Sequence, residues 1–162
     1  MKKIPLTRGK FALVDDEDFK SLSCFNWYFD KKEARRNIGH GRNRTGVGMS
    51  RVIMGLGKYD PREVDHKDLN TLNNCRSNLR ICTIRENSRN KGKYKSHALK
   101  KCSSKYKGVT WNAWHKKWAV QICKNYENKH IGYFENEQEA ARIYDKKAKE
   151  LFGEFARVNY PE

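Results

Sequence analysis

With 35 lysines and arginines against 19 aspartates and glutamates, the 162-residue chain has a formal charge of +16 and the length of one or two small domains. That field attracts polyanions, which makes nucleic acid the favoured partner. An anionic membrane surface is excluded because the chain has no amphipathic basic helix and no apolar run near the roughly twenty residues a span needs.

In chain order, Met1-Lys2-Lys3-Ile4-Pro5 has no apolar signal core, so no export is implied and the expectation is an intracellular, cytoplasmic protein. Residues 4–14 read as two short strands about Gly9, the first edge-like because Pro5 cannot donate to a ladder. The acid-rich stretch 15–22 predicts a short helix with Phe19 and Leu22 inward, its carboxylates at the dipole's positive end. Residues 25–29 and 34–36 read as strands, and Gly39, Gly41, Gly46 and Gly48 as a basic loop leading to Met49. Ser50 is positioned to cap a short helix through Met54, stopped by Gly55, Gly57 and Pro61. Residues 1–62 thus make a β-rich support.

The chemistry concentrates in residues 63–87. Apolar Val64 leads into the adjacent pair Asp65 and His66, and polar residues without a core period follow. Residues 78–83 read as a strand because Leu79 and Ile81 alternate with polar neighbours. Thr83 with Glu86 three positions on is a capping box, so a helix runs from Ile84 to about Asn90. The unit is strand, loop, strand, helix. The basic, polar stretch 88–104 reads as extended or loosely ordered, lying along phosphates or serving as a solvated tether.

Residues 106–111, 117–122 and 129–134 are aromatic or β-branched runs separated by turn-length segments, an antiparallel meander. Asn136 with Glu139 opens a helix whose Ala140, Tyr144, Ala148 and Leu151 share one face and which ends at Gly153. One sheet face must cover that stripe, and the other is free to enter a DNA groove. The five cysteines, Cys24, Cys75, Cys82, Cys102 and Cys123, are odd in number and widely spaced, as reduced thiols are. Neither they nor the histidines form a zinc motif, and no zinc is expected.

Two resemblances sharpen this reading. Tyr106-Lys107-Gly108-Val109, Trp114, Lys117-Trp118, Ile131-Gly132-Tyr133-Phe134, Glu139-Ala140-Ala141, Tyr144-Asp145, Ala148, Gly153 and residues 156–161 resemble the ethylene-response-factor (Apetala-type) DNA-binding domain over residues 104–161. That likeness implies groove-facing positions at Lys107, Gly108, Thr110, Asn112, Trp114, Gln121, Cys123, Asn128 and His130. Thr110, Asn112, Cys123 and Asn128 stand where that family usually has arginine, and His130 where it has tryptophan, so sequence preference does not carry over. Asp65-His66, Asn70, Asn73-Asn74, Asn78-Leu79-Arg80 and Glu86-Asn87 resemble the His-Asn-His (HNH) homing endonucleases of phage introns, with Arg51 in the lead-in. This second likeness implies His66 as general base, Asp65 and Asn87 as ligands of one divalent metal, Asn78 as the asparagine bracing the loop, and Arg51 and Arg80 on DNA. It departs at Ser50, where relatives commonly have histidine, and at Leu69, where they have a turn glycine.

The chemistry is coherent. A phosphodiester needs a water stripped of its proton and an electrophile on the leaving oxygen. Imidazole does the first, and a hard ion held by few oxygens does the second. Asp65 and His66, adjacent on a strand, reach one phosphate only if the backbone turns beside them. Asn73 and Asn74 read as turn residues.

The expectation is therefore an α+β protein with a nuclease domain at 1–92 (β-rich support 1–62, ββα-metal core 63–92), a basic linker at 93–103 and a three-stranded sheet with one helix at 104–162. It would act in a phage or bacterial host cell as a monomer on double-stranded DNA, hydrolysing or nicking a phosphodiester bond. Mg²⁺, or Mn²⁺ in its place, would be the metal, with no small-molecule cofactor. The alternatives are a catalytically inactive, transcription-factor-like DNA-binding protein and an RNA-binding structural protein.

Overall fold

Residues 1–93 and 102–161 are described in this computed structural model. Strand β1 (Lys2–Pro5) pairs antiparallel with β2 (Phe11–Val14), and the reversal passes through left-handed backbone at Arg8 and Gly9. Helix α1 (Asp16–Ser23) starts with three carboxylates, which suit the positive end of a helix. Its Leu22 is buried in the core and Phe19 packs against that core.

The next strand starts later than its aromatic run suggests. Trp27 is buried and its indole Nε1 donates to the Leu22 carbonyl at 2.8 Å, so β3 covers only Tyr28–Asp30. Strand β4 (Glu33–Ile38) follows, and β5 (Thr45–Gly48) completes a three-stranded sheet. The glycine-rich segment expected as a loop up to Met49 ends in a strand instead, because Thr45–Gly48 pair with β4 from Ile38 back to Arg35. At Gly46 a Cβ would lie 3.2 Å from both the Arg35 guanidinium and the Tyr28 hydroxyl. Glycine makes room for these neighbours and leaves no side-chain alternation to read. Ser50 is likewise not a cap: α2 (Met49–Ile53) has Gly48 at its N-cap, and Ser50 lies in the first turn.

Strand β6 (Glu63–His66) pairs antiparallel with β7 (Leu79–Cys82), with Asp65 opposite Arg80 and His66 opposite Leu79. Helix α3 (Ile84–Asn90) follows. Its capping box closes both ways: the Thr83 amide donates to Glu86 Oε2 at 2.8 Å, and the Glu86 amide to Thr83 Oγ1 at 3.2 Å. Leu79 joins Ile4, Val14, Leu22, Trp27 and Met49 in the first core, so the strand pair is built onto the support through shared apolar packing.

The meander consists of β8 (Val109–Asn112), β9 (Lys117–Lys124) and β10 (Glu127–Phe134), in the order β10-β9-β8, with a bulge between His130 and Gly132. Helix α4 (Glu137–Phe152) is capped by Asn136, whose Oδ1 accepts from the Gln138 and Glu139 amides. Val109, Val120 and Ile122 meet Ala140, Tyr144 and Ala148 in a second core. The tail is fastened by the buried Asp145, whose carboxylate accepts from the Asn159 and Tyr160 amides at 2.7 and 2.9 Å.

The contacts divide the chain into units of Met1–Asn87 and Ser88–Glu162, each with its own core. Residues 88–93 are more ordered than their composition suggests. Asn90 ends α3, Lys93 Nζ donates to the Tyr106 and Val109 carbonyls, and Lys107 Nζ donates to those of Arg89 and Lys91. Of the expected linker, residues 94–101 lie outside the described residues. Among the described residues no helix is long and apolar enough to cross a membrane.

Candidate active site and nucleic-acid interface

The loop from β6 to β7 is held by a network centred on Asn78. Its Nδ2 donates to Asp68 Oδ1 at 2.9 Å and to the Asn73 carbonyl at 2.8 Å, and its Oδ1 accepts from the Asp68 amide at 3.1 Å. The Asn78 carbonyl accepts from the Lys67 amide, so one buried asparagine ties both ends of the loop together. Asp68 also accepts from the Asn70 amide and Asn73 Nδ2. Burial works against its charge, but the hydrogen bonds from Asn73, Asn70 and Asn78 outweigh it and hold the carboxyl below its usual range. Leu69, in the position of the usual turn glycine, has φ 67°.

The acidic start of α1 anchors the same loop from outside. Asp15 Oδ2 accepts from the Arg76 amide at 2.7 Å, and the Arg76 guanidinium donates to both oxygens of Asp18 at 2.7 and 2.8 Å. The Leu13 amide donates to the Leu72 carbonyl, and the Asn74 amide to the Leu13 carbonyl.

His66 ends β6 in a buried position, with Nε2 3.4 Å from Asn74 Oδ1. The Asn74 amide nitrogen points to the Thr71 carbonyl, which leaves its oxygen as the acceptor facing the ring. Nε2 is then the donor, and a neutral ring carries its lone pair on Nδ1. Asn74, read from the sequence as a turn residue, contacts the His66 ring instead. An asparagine in a polar loop looks like a turn former, and only the fold shows it 1% exposed beneath His66.

Asp65, 3% exposed, lies opposite Arg80 across the strand pair, and Arg80 Nε and Nη2 donate to its Oδ2 at 2.8 and 2.6 Å. A buried carboxylate needs a counter-charge, and Arg80 provides one. Arg80, expected on DNA, is a part-buried partner of Asp65 with its side chain 10% exposed. Glu63 shares the Asp65 face of β6, and its Oε2 accepts from Asn87 Nδ2 at 2.6 Å. The structure therefore brings Asn87 to β6 through Glu63. It leaves Asp65 and His66 on opposite faces, because the extended pairing continues through His66 and the turn begins only after it. Cys82, paired with Glu63, is pushed up to about 11 by burial and by the charges of Asp65 and Glu63, so it remains a thiol at neutral pH. No cluster of three or more His, Cys, Asp or Glu groups suited to an ion occurs among the described residues.

A cleft of about 420 Å³ opens beside this face, lined in part by Arg35, Ser50, Lys58, Glu63 and Asn87. Arg51 also lines it, but its guanidinium donates to the carbonyls of Arg62, Gly57 and Asp60 at 2.7, 2.7 and 3.1 Å. Expected on DNA, Arg51 instead staples the loop before β6.

In the second unit, Thr110, Gln121 and His130 are exposed on the sheet face away from the α4 packing, and Trp114 is 89% exposed in the β8–β9 turn. Asn112 is half-buried and its Oδ1 accepts from the His115 amide. Two positions expected on DNA have internal roles. Lys107 binds carbonyls, and burial pulls its ammonium down to about 8, with Arg157 adding to the effect. Gly108, at φ +75°, sits where a Cβ would come within 2.0 Å of the Tyr144 ring.

An HNH endonuclease family model matches residues 55–89, which include β6, its loop and β7. A protein of Acanthamoeba polyphaga mimivirus described as an uncharacterized HNH endonuclease is 34% identical over 157 residues, covering 94% of this chain and 76% of the relative.

Proposed function

The chain belongs to the HNH endonuclease family, and from that premise we propose that it hydrolyses or nicks a phosphodiester bond of double-stranded DNA with one divalent metal ion, as a homing endonuclease does. The observation that supports this reading best is the arrangement about β6, which presents Asp65 and Glu63 with Asn87 on one side and an oriented, buried His66 at its end.

Asp65 and Asn87 would hold the ion. Their carboxylate and amide oxygens are hard donors, and two of them leave positions for phosphate and water, which suits Mg²⁺ with Mn²⁺ as substitute. When bound, such an ion supplies charge stabilisation to the leaving oxygen. Asp65 already has Arg80 as counter-charge, so an arriving cation would compete with that guanidinium. His66 takes the proton from the attacking water, while Asn74 orients the ring through its contact with Nε2. Asn78 keeps the loop rigid beneath the ring, and Glu63 holds the Asn87 amide nitrogen so that its oxygen turns away from the carboxylate. The scissile phosphate would meet both faces only at the end of the strand pair, where the extended backbone stops.

Residues 104–162 are read as an ethylene-response-factor-like domain that grips the duplex through Thr110, Asn112, Trp114, Gln121 and His130. The support for this is the exposed sheet face opposite α4. The protein should relax or linearise supercoiled plasmid with Mg²⁺ or Mn²⁺ and stop in chelator. His66→Ala should lose activity by about 10²-fold or more, the typical worth of a general base. Parent-level cutting by His66→Ala would remove the base assignment, and duplex binding without cutting by the parent would favour the inactive binding protein.

A further inference from the structure

Away from the strand pair, β4 carries an arginine that the proposed site does not use. Arg36 lies with its guanidinium carbon 3.9 Å from the Phe25 ring centroid and 5.7 Å from that of Trp27. Its Nε is buried without a hydrogen-bond partner among the described residues. A buried, unsatisfied donor on a charged group is costly, and stacking on aromatic faces only partly offsets the loss of hydration. The guanidinium borders a concavity of about 360 Å³ lined by Phe25, Asn26, Tyr28, Arg36, Asn37 and Arg44, with no acidic residue among them. The second cation is also oriented: with its amide nitrogen toward the Tyr28 hydroxyl, Asn37 accepts from Arg44 Nε at 3.2 Å and Nη2 at 2.7 Å. Two held guanidinium groups with no counter-ion among the described residues form a receptor for an anion with several acceptor oxygens, as a phosphodiester has.

We propose that the Arg36–Arg44 concavity is a DNA-backbone site that seats one or two phosphates of the duplex outside the cleavage centre. The choice of DNA rests on the nuclease reading, while the anion chemistry rests on the two arginines alone. Phosphate contacts position a duplex without reading its sequence, so the site would set register and strength of grip.

The test is fluorescence anisotropy on two unrelated duplexes in chelator across a salt series, with parent, Arg36→Gln, Arg36→Lys and Arg44→Gln. Arg36→Gln and Arg44→Gln should each lower the slope of log affinity on log salt by about 1 and weaken both duplexes by a similar factor. Arg36→Lys should keep most of the slope and lose affinity, because lysine has the charge but neither the fork nor the stacking plane. Parent slope and affinity in both glutamine variants would overturn the proposal, as would structured RNA competing better than duplex. Should Arg36→Gln melt early by circular dichroism, Arg44→Gln decides alone, since that side chain has no place in the apolar core. Plasmid cleavage by the same preparations separates the two readings: a parent that binds with the expected slopes but never cuts loses the nuclease function and keeps this site.

Discussion

Leu69 shows how one side chain departs from what its loop wants. The turn places it at φ 67°, a conformation that costs an L-residue with a Cβ roughly 1–2 kcal/mol. Its side chain is 40% exposed, so little packing offsets the strain. Leu69→Gly should raise stability by about 1 kcal/mol, less the extra chain entropy of glycine, as a urea midpoint would show. Arg80 is the converse case, a side chain whose removal exposes a dependence. Arg80→Gln removes a guanidinium from the buried Asp65 carboxylate, which should cost about 3 kcal/mol. If a divalent ion binds Asp65, Mn²⁺ should raise the melting temperature of Arg80→Gln more than that of the parent. An equal shift in both proteins would place the ion elsewhere.

Among elements, the β6–β7 loop depends on polar bonds rather than on apolar packing, so its stability should track the charge of Asp68. That carboxyl is held below its ordinary range by Asn73, Asn70 and Asn78 against its burial. A group depressed in the folded state stabilises above its unfolded pKa and loses that contribution as pH falls through the folded value. Asp68→Asn should therefore be less stable than the parent at pH 7, and the gap should close as the pH drops below the ordinary carboxylate range. A gap unchanged at low pH would mean that shape rather than charge decides. The acidic start of α1 serves the same loop, since Asp15 and Asp18 both bind Arg76. From sequence those carboxylates suggest only a favourable helix dipole, because nothing local indicates a partner about sixty positions on.

For the molecule as a whole, two separate cores imply that damage to one should leave the other folded. Gly108→Ala would drive a methyl into Tyr144 from a left-handed position, a change expected to cost more than about 2 kcal/mol. Hydrogen exchange should then speed up at Val120 and Ala140 while the amides of β1 and β2 stay as protected as in the parent. Loss of protection in both units would show that the chain folds as one body.

Local signals in the sequence determined much of this protein. The capping box at Thr83 and Glu86, the Asn136 cap, the alternation of Leu79 and Ile81 and the stripe from Ala140 to Ala148 each act over a turn or a strand, so neighbouring residues reveal them. The Asp65-His66 pair with its spaced asparagines was legible for the same reason, as a dense run of polar residues where a core period should be. Only the tertiary structure decided what those side chains touch. It made a strand of the glycine-rich Thr45–Gly48, set Asn74 under His66, and turned Arg51, Arg80 and Lys107 inward to carbonyls and a carboxylate. A basic residue looks alike in sequence whether it faces phosphate or a distant backbone oxygen, because the acceptor that fixes its direction arrives only when remote segments fold against it.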